Sequence, residues 1–133
     1  MNEQEIHHLL YDIPENVDYT DISQELDLED VPKERVDKLR DLLHSDDLAV
    51  RFDAALLLTN WGVEDGLNTL IDLFEKGETK GFIPHHLHPY DDTNKHILDA
   101  LIGYWASQTD LHKEQEARKR IYPTIISIIK QAV

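Results

Sequence analysis

Residues 45–77 read SDDLAVRFDAALLLTNWGVEDGLNTLIDLFEKG, and this stretch decides the fold. Ser45, Asp46 or Asp47 can cap a helix that runs to Trp61, and Gly62 fits the left-handed position just past its end. The apolar positions of that helix are Leu48, Val50, Phe52, Ala54, Ala55, Leu56, Leu57, Leu58 and Trp61. They spread too widely for a surface helix with one apolar stripe, so this helix is expected to lie between neighbours. A second helix follows at once. Glu64 and Asp65 complement its positive N-terminus, Leu67, Leu70, Ile71, Leu73 and Phe74 face inward, and Gly77 stops it. With two or three residues between them, the two helices must fold back as an antiparallel pair.

On the N-terminal side, Asp30 precedes Pro32, a good helix start because proline is tolerated in a first turn. Val36, Leu39, Leu42 and Leu43 then give an apolar stripe that ends near His44. Residues 2–11 have Ile6, Leu9 and Leu10 on one helical face, and one turn is expected near residues 23–26. On the C-terminal side, Ile97, Leu98, Ala100, Leu101, Tyr104 and Trp105 give a helix over residues 93–107 a buried face. Trp61, Tyr104 and Trp105 are read as core aromatics. The last segment is polar from Asp110 to Arg120 and apolar from Ile121, where Ile125, Ile126, Ile128 and Ile129 are expected to close the core. Pro123 lies inside this pattern and predicts a kink or a break. No alternation of strand period competes anywhere. The chain is expected to be one all-α domain over residues 1–133, an acidic segment 1–31 packed on a helical core 32–133.

Composition narrows the function. The 133 residues carry 27 acids against 13 Lys and Arg, a formal charge of −14, and no Cys. Disulfides, thiolate catalysis, Cys-ligated zinc and iron–sulfur clusters are excluded. So negative a chain repels nucleic acid and anionic membranes and attracts a basic protein. Its acidic, polar start and the lack of a run of ~20 apolar residues lead to the expectation of a cytoplasmic location. The acid is unevenly placed. Residues 1–32 hold ten acids and no Lys or Arg, leaving 17 acids against all 13 bases in the remainder. Apolar residues between these acids, among them Ile13, Val17, Tyr19, Ile22, Leu26 and Leu28, favour a segment packed on the domain over a free tail. Asp18, Asp21, Glu25, Asp27, Glu29 and Asp30 are therefore candidate partner-binding residues.

Asp46, Val50, Arg51, Ala54, Ala55, Leu58 and Gly62 in the first central helix, with Gly66, Leu67, Leu70, Ile71 and Leu73 in the second, resemble one HEAT repeat. Small alanines let such paired helices approach, and the arginine can pair with acids on an adjacent repeat. The resemblance covers about 32 residues. It implies antiparallel helical hairpins in a short α-solenoid or α-α superhelix, with residues 32–44 as a preceding helix and 93–133 as a degenerate second pair.

Residues 77–92 form the one long connection, and long loops in compact domains are disproportionately functional. His85, His86, His88, Tyr90, Asp91 and Asp92 stand in it, with His96 nearby. Imidazole and carboxylate suit Zn, Fe or Mn, so a metal-dependent enzyme built on this loop is one alternative. The spacing does not favour it, because His86 and His88 share one side of an extended segment and His85 points away. The preferred reading has Asp91 or Asp92 capping the next helix and the histidines bonding to loop carbonyls or touching a partner. No metal, no cofactor and no catalytic residue is expected. Arg118, Lys119 and Arg120 form the basic cluster, read as a solvated helix face or an internal partner of the acidic segment, and too small to bind nucleic acid.

A small, helical, Cys-free and acidic chain looks like bacterial immunity proteins, which neutralise a cognate toxin. Trp61-Gly62 with the later run from Pro84 to Thr93 also resembles HEAT-like immunity proteins of contact-dependent growth inhibition. The resemblance implies a non-enzymatic inhibitor of a basic, nuclease-type toxin domain, with carboxylates standing where substrate phosphates would lie. A HEAT-like adaptor in a larger assembly is the other alternative.

Overall fold

The computed structural model describes residues 1–80, 82–83 and 92–132. They form six α-helices and, among the described residues, no strand. The helices are α1 (Glu3–Tyr11), α2 (Lys33–Leu42), α3 (Leu48–Asn60), α4 (Glu64–Glu75), α5 (Thr93–Asp110) and α6 (Glu114–Ala132). Two short 3₁₀ turns, Ser23–Glu25 and Leu28–Asp30, punctuate the acidic connection between α1 and α2. The all-α expectation holds. No helix among the described residues is long and apolar enough to cross a membrane.

Helix α3 is the centre. The Asp47 carboxylate accepts from the amides of Ala49 (3.0 Å) and Val50 (3.4 Å), which caps its first turn. Seven of its residues, Phe52 and the run Ala54 to Thr59, are buried, and the helix touches α1, α2, α4, α5 and the first 3₁₀ turn. Each fully buried Leu or Phe of this set stabilises the fold by about 1.5–3 kcal/mol. Gly66 lets α4 come close. A Cβ there would collide with the Leu58 side chain and lie 3.0 Å from the Thr59 backbone nitrogen.

The hairpins α3–α4 and α5–α6 turn on the same hydrogen-bonded corner. In the first, Gly62 (φ 87°) donates to Thr59 O and Val63 to Leu58 O. In the second, His112 (φ 58°) donates to Thr109 O and Lys113 to Gln108 O. Both are the double bond that closes a helix through one left-handed residue. His112 fills a position that usually belongs to glycine, which is why the second corner is hard to read from sequence. The Gly77 corner after α4 repeats the pattern, with Gly77 donating to Phe74 O and Glu78 to Leu73 O.

Several expectations need correction. Pro123 sits inside one continuous α6 and does not divide it. It is exposed, as is Lys119, whose carbonyl it cannot serve, so water on that side can take the missing bond. Trp105 is 41% exposed and Ile129 50% exposed, and neither belongs to the core. Trp105 lies at the seam of α5 and α6 beside Arg118, Ile121 and Tyr122, Ile129 is on α6, and no further described helix covers either side chain. Arg51 makes no ion pair among the described residues, and its Nε is buried without a hydrogen-bond partner. Helix α5 also runs one turn further than expected, to Asp110.

Two stability predictions follow from this packing. At Gly62 an added Cβ meets left-handed backbone and the Ser107 side chain on α5, whereas at Gly77 it meets nothing within 4 Å. Gly62→Ala is expected to cost about 1–3 kcal/mol and Gly77→Ala about 1 kcal/mol, read by thermal unfolding. Equal losses would show that the Ser107 approach is immaterial. Half-buried Asp53 on α3 has its pKa raised, first by desolvation and then by the Asp47 charge. A raised folded value means that the ionised form is disfavoured in the fold, so this group's contribution is best below the ordinary carboxylate range and is lost as pH rises through the raised value. Asp53→Asn is expected to raise Tm at pH 7 and to leave it unchanged or lower at pH 3. A lower Tm at both pH values would contradict this.

Candidate functional site: an acidic groove beside α5

The acidic segment is an ordered wall, and the backbone carbonyls of α1 begin the explanation. A helix leaves its last four carbonyls without intrahelical donors. At the end of α1, Leu10 O accepts from Ser23 Oγ at 2.6 Å and Leu9 O accepts from Arg35 Nε at 2.9 Å. The Trp61 indole, buried at the end of α3, donates to Ser23 O at 2.8 Å. The Arg35 guanidinium lies 5.4 Å from the centre of that indole. One tryptophan, one serine and one arginine thus tie α1, the first 3₁₀ turn, α2 and α3 together. Burial lowers the Arg35 pKa, and the Asp12 charge opposes that shift.

Beyond Ser23, Leu26 and Val31 are buried and anchor the chain at both ends of the second turn. Tyr19 closes the segment on itself. Its hydroxyl donates to Asp30 Oδ2 at 2.7 Å and accepts from the Asp27 amide at 2.9 Å. The Asp27 amide pulls the Tyr19 pKa down, but desolvation, the bond to Asp30 and the charges of Asp27 and Asp30 together leave it raised.

These supports shape a groove of about 610 Å³ between the segment and α5. Glu25, Asp27 and Glu29 stand on one wall, Gly103, Ser107 and Asp110 on the other, and Asn60, Trp61 and Gly62 form the floor. Leu28 and Leu111 line it with 41% and 60% of their surface exposed. The groove therefore pairs carboxylates with accessible apolar surface. Carboxylate oxygens of Asp27, Glu29 and Asp30 lie within 4.8 Å of one another. Such a group suits a guanidinium or ammonium ion, which carries several donors to share among several acceptors.

Of the residues singled out from sequence, Glu25, Asp27 and Glu29 meet in the groove, and Asp30 adjoins it through the carboxylate group. Asp18 and Asp21 are exposed but do not line it. His85, His86, His88, Tyr90 and Asp91 lie outside the described residues. Asp92 occupies the N-cap position of α5 without a side-chain capping bond; its amide donates to Ile83 O at 2.7 Å. Arg118, Lys119 and Arg120 are exposed, and Arg120 donates to Asn68 Oδ1 at 3.1 Å, so the basic run is a solvated face and not an internal partner of the acids. Sequence reasoning missed Asp110, Leu111 and the floor at Asn60. Their signal is weak because they come from distant helix ends that only folding brings together.

Comparison with protein-family models, with curated proteins and with solved structures gave no match for this chain.

Trp61→Phe deletes the indole donor, leaving Ser23 O without its partner, and removes part of a buried ring, so the loss combines both effects. It is expected to lower stability by about 2–3 kcal/mol and to speed amide exchange at residues 23–31 more than in α4. Uniform acceleration across the chain would show that the bond does not hold this segment in particular.

Proposed function

We propose that this chain is a non-enzymatic binding protein that captures a basic segment of a partner protein in the groove between residues 24–29 and α5. The observation that carries the reading is a groove in which Glu25, Asp27, Glu29 and exposed Leu28, on a wall anchored to the core, stand opposite Asp110 and exposed Leu111 at the end of α5. Lys and Arg side chains bring both a cation and an apolar stem, so this combination matches them in both respects. Preformed walls spare the ordering cost that a free acidic tail would meet on binding. Complementary charge speeds encounter and selects basic partners.

An immunity protein that neutralises a basic, nuclease-type bacterial toxin fits this description, with the groove's carboxylates standing where substrate phosphates would bind. In this reading the antiparallel hairpins α3–α4 and α5–α6 form a short HEAT-like superhelix as the scaffold. Such an inhibitor works in the cytoplasm of the cell that it protects.

A suitable test ligand would be a basic, nuclease-type toxin domain, sought first in the gene next to this one. Replacing Glu25, Asp27 and Glu29 together by Gln, Asn and Gln is expected to weaken binding about 10–100-fold, mainly through a slower association at low salt. The three side chains are exposed, so Tm should not fall. Unchanged affinity with unchanged Tm would overturn the assignment of the groove.

A further inference from the structure

Where α5 turns into α6, beside the start of α4, a cavity of about 220 Å³ lies over Tyr104 and Gln108. These two side chains are only 6% and 7% exposed, yet each leaves a polar atom unpaired. Gln108 Nε2 donates to Gly62 O and to Ser107 Oγ, each at 3.3 Å. Gly62 O can only accept, so the amide nitrogen must turn to it, and Oε1 has no donor among the described residues. Gly62 and Ser107 line the acidic groove and not this cavity, which leaves Oε1 to the cavity side. The Tyr104 hydroxyl also makes no hydrogen bond among the described residues, and it is not sealed from solvent. Burial raises its pKa, Glu64 and Glu116 add to that rise and Arg120 opposes it. All three charges belong to the cavity, so the hydroxyl stands among them and stays protonated, able to donate.

Charges of both signs ring the mouth. Glu64 begins α4, Lys113 sits at the corner, and Glu116 and Arg120 lie on α6. None of the four forms an ion pair among the described residues, and Arg120 has one hydrogen bond, to Asn68 Oδ1. With two carboxylates against two cations, a simple anion or a simple cation would meet as many like charges as unlike ones. A ligand that satisfies both signs carries both. The volume is below the range of about 300–1,000 Å³ that holds drug-sized ligands, which points to a small molecule.

We propose that this cavity binds a free amino acid with an amide side chain, glutamine or asparagine, as its zwitterion. Its carboxylate pairs with the Arg120 guanidinium, and its ammonium group with Glu64 and Glu116. Its side-chain amide accepts from the Tyr104 hydroxyl and donates to Gln108 Oε1, a pairing that only a group with both functions completes. Gln108 lines the acidic groove as well, but this site needs no protein partner, and the chain alone tests it.

Nuclear magnetic resonance spectra of the full chain, titrated with L-glutamine and with L-asparagine to about 20 mM, are expected to show saturable shifts at residues 64, 104, 108 and 113–120. N-acetyl-L-glutamine and L-glutaminamide, each lacking one charge, should bind about tenfold more weakly, and so should L-alanine, which lacks the side-chain amide. Tyr104→Phe removes a hydroxyl with no partner in the chain, so Tm should hold while affinity falls about fivefold or more. Arg120→Gln, at an exposed position, should weaken binding about tenfold with Tm unchanged. No saturable shift at these residues, or affinity indifferent to both substitutions, would overturn the site. Equal binding of the acetylated compound would overturn the zwitterion, and equal binding of L-alanine the amide side chain.

Discussion

The Trp61 indole N–H has one acceptor, the Ser23 carbonyl 2.8 Å away, and the acidic side of the molecule depends on it. Ser23 passes the link on to the end of α1, and Arg35 completes it by stacking near the same indole and bonding to Leu9 O. Each bond answers a need of the other partner. The carbonyls at the end of α1 have no intrahelical donors, a buried indole must donate, and the half-buried Arg35 guanidinium gains an acceptor at Nε while its buried Nη2 has no hydrogen-bond partner among the described residues. The net energy of each bond is about 1 kcal/mol, but leaving any one group unpaired costs more. That asymmetry fixes the segment in one place.

The position of the charge then acquires a physical meaning. Ten acids in the first 32 residues would repel one another and extend an isolated tail. Burial of Leu10, Leu26 and Val31 holds the segment on the domain and leaves Glu25, Asp27 and Glu29 on the groove wall. Arg35 is held by backbone and indole rather than by a carboxylate, and it lines a different groove, beside Asp12 and Glu15. The acids on the groove wall are consequently left available, with the Tyr19 hydroxyl setting the spacing of Asp27 and Asp30.

Much of the fold was legible because its signals are local. Asp47 as a cap, Gly62 as a left-handed stop and the all-round apolar pattern of α3 are contained within one helix and its ends. The turn at residues 23–25 was readable for the same reason. What escaped was relational. Trp105 and Ile129 repeat at core spacing, yet no further described helix covers either side chain, and nothing in helical periodicity says whether a neighbour exists. Pro123 was expected to kink or break α6 on local grounds; the helix continues through it, and its exposed position makes the lost bond tolerable. Within the site, the acids were named from charge alone. The groove needed residues 38 apart, Ser23 and Trp61, to meet, together with the end of α5.

The most direct test of the central claim is amide hydrogen exchange of the chain with and without the basic domain of its partner. Slower exchange on binding is expected at residues 24–29 and 103–111, the two walls of the groove. Protection confined to other parts of the chain, with these two walls unchanged, would contradict the account.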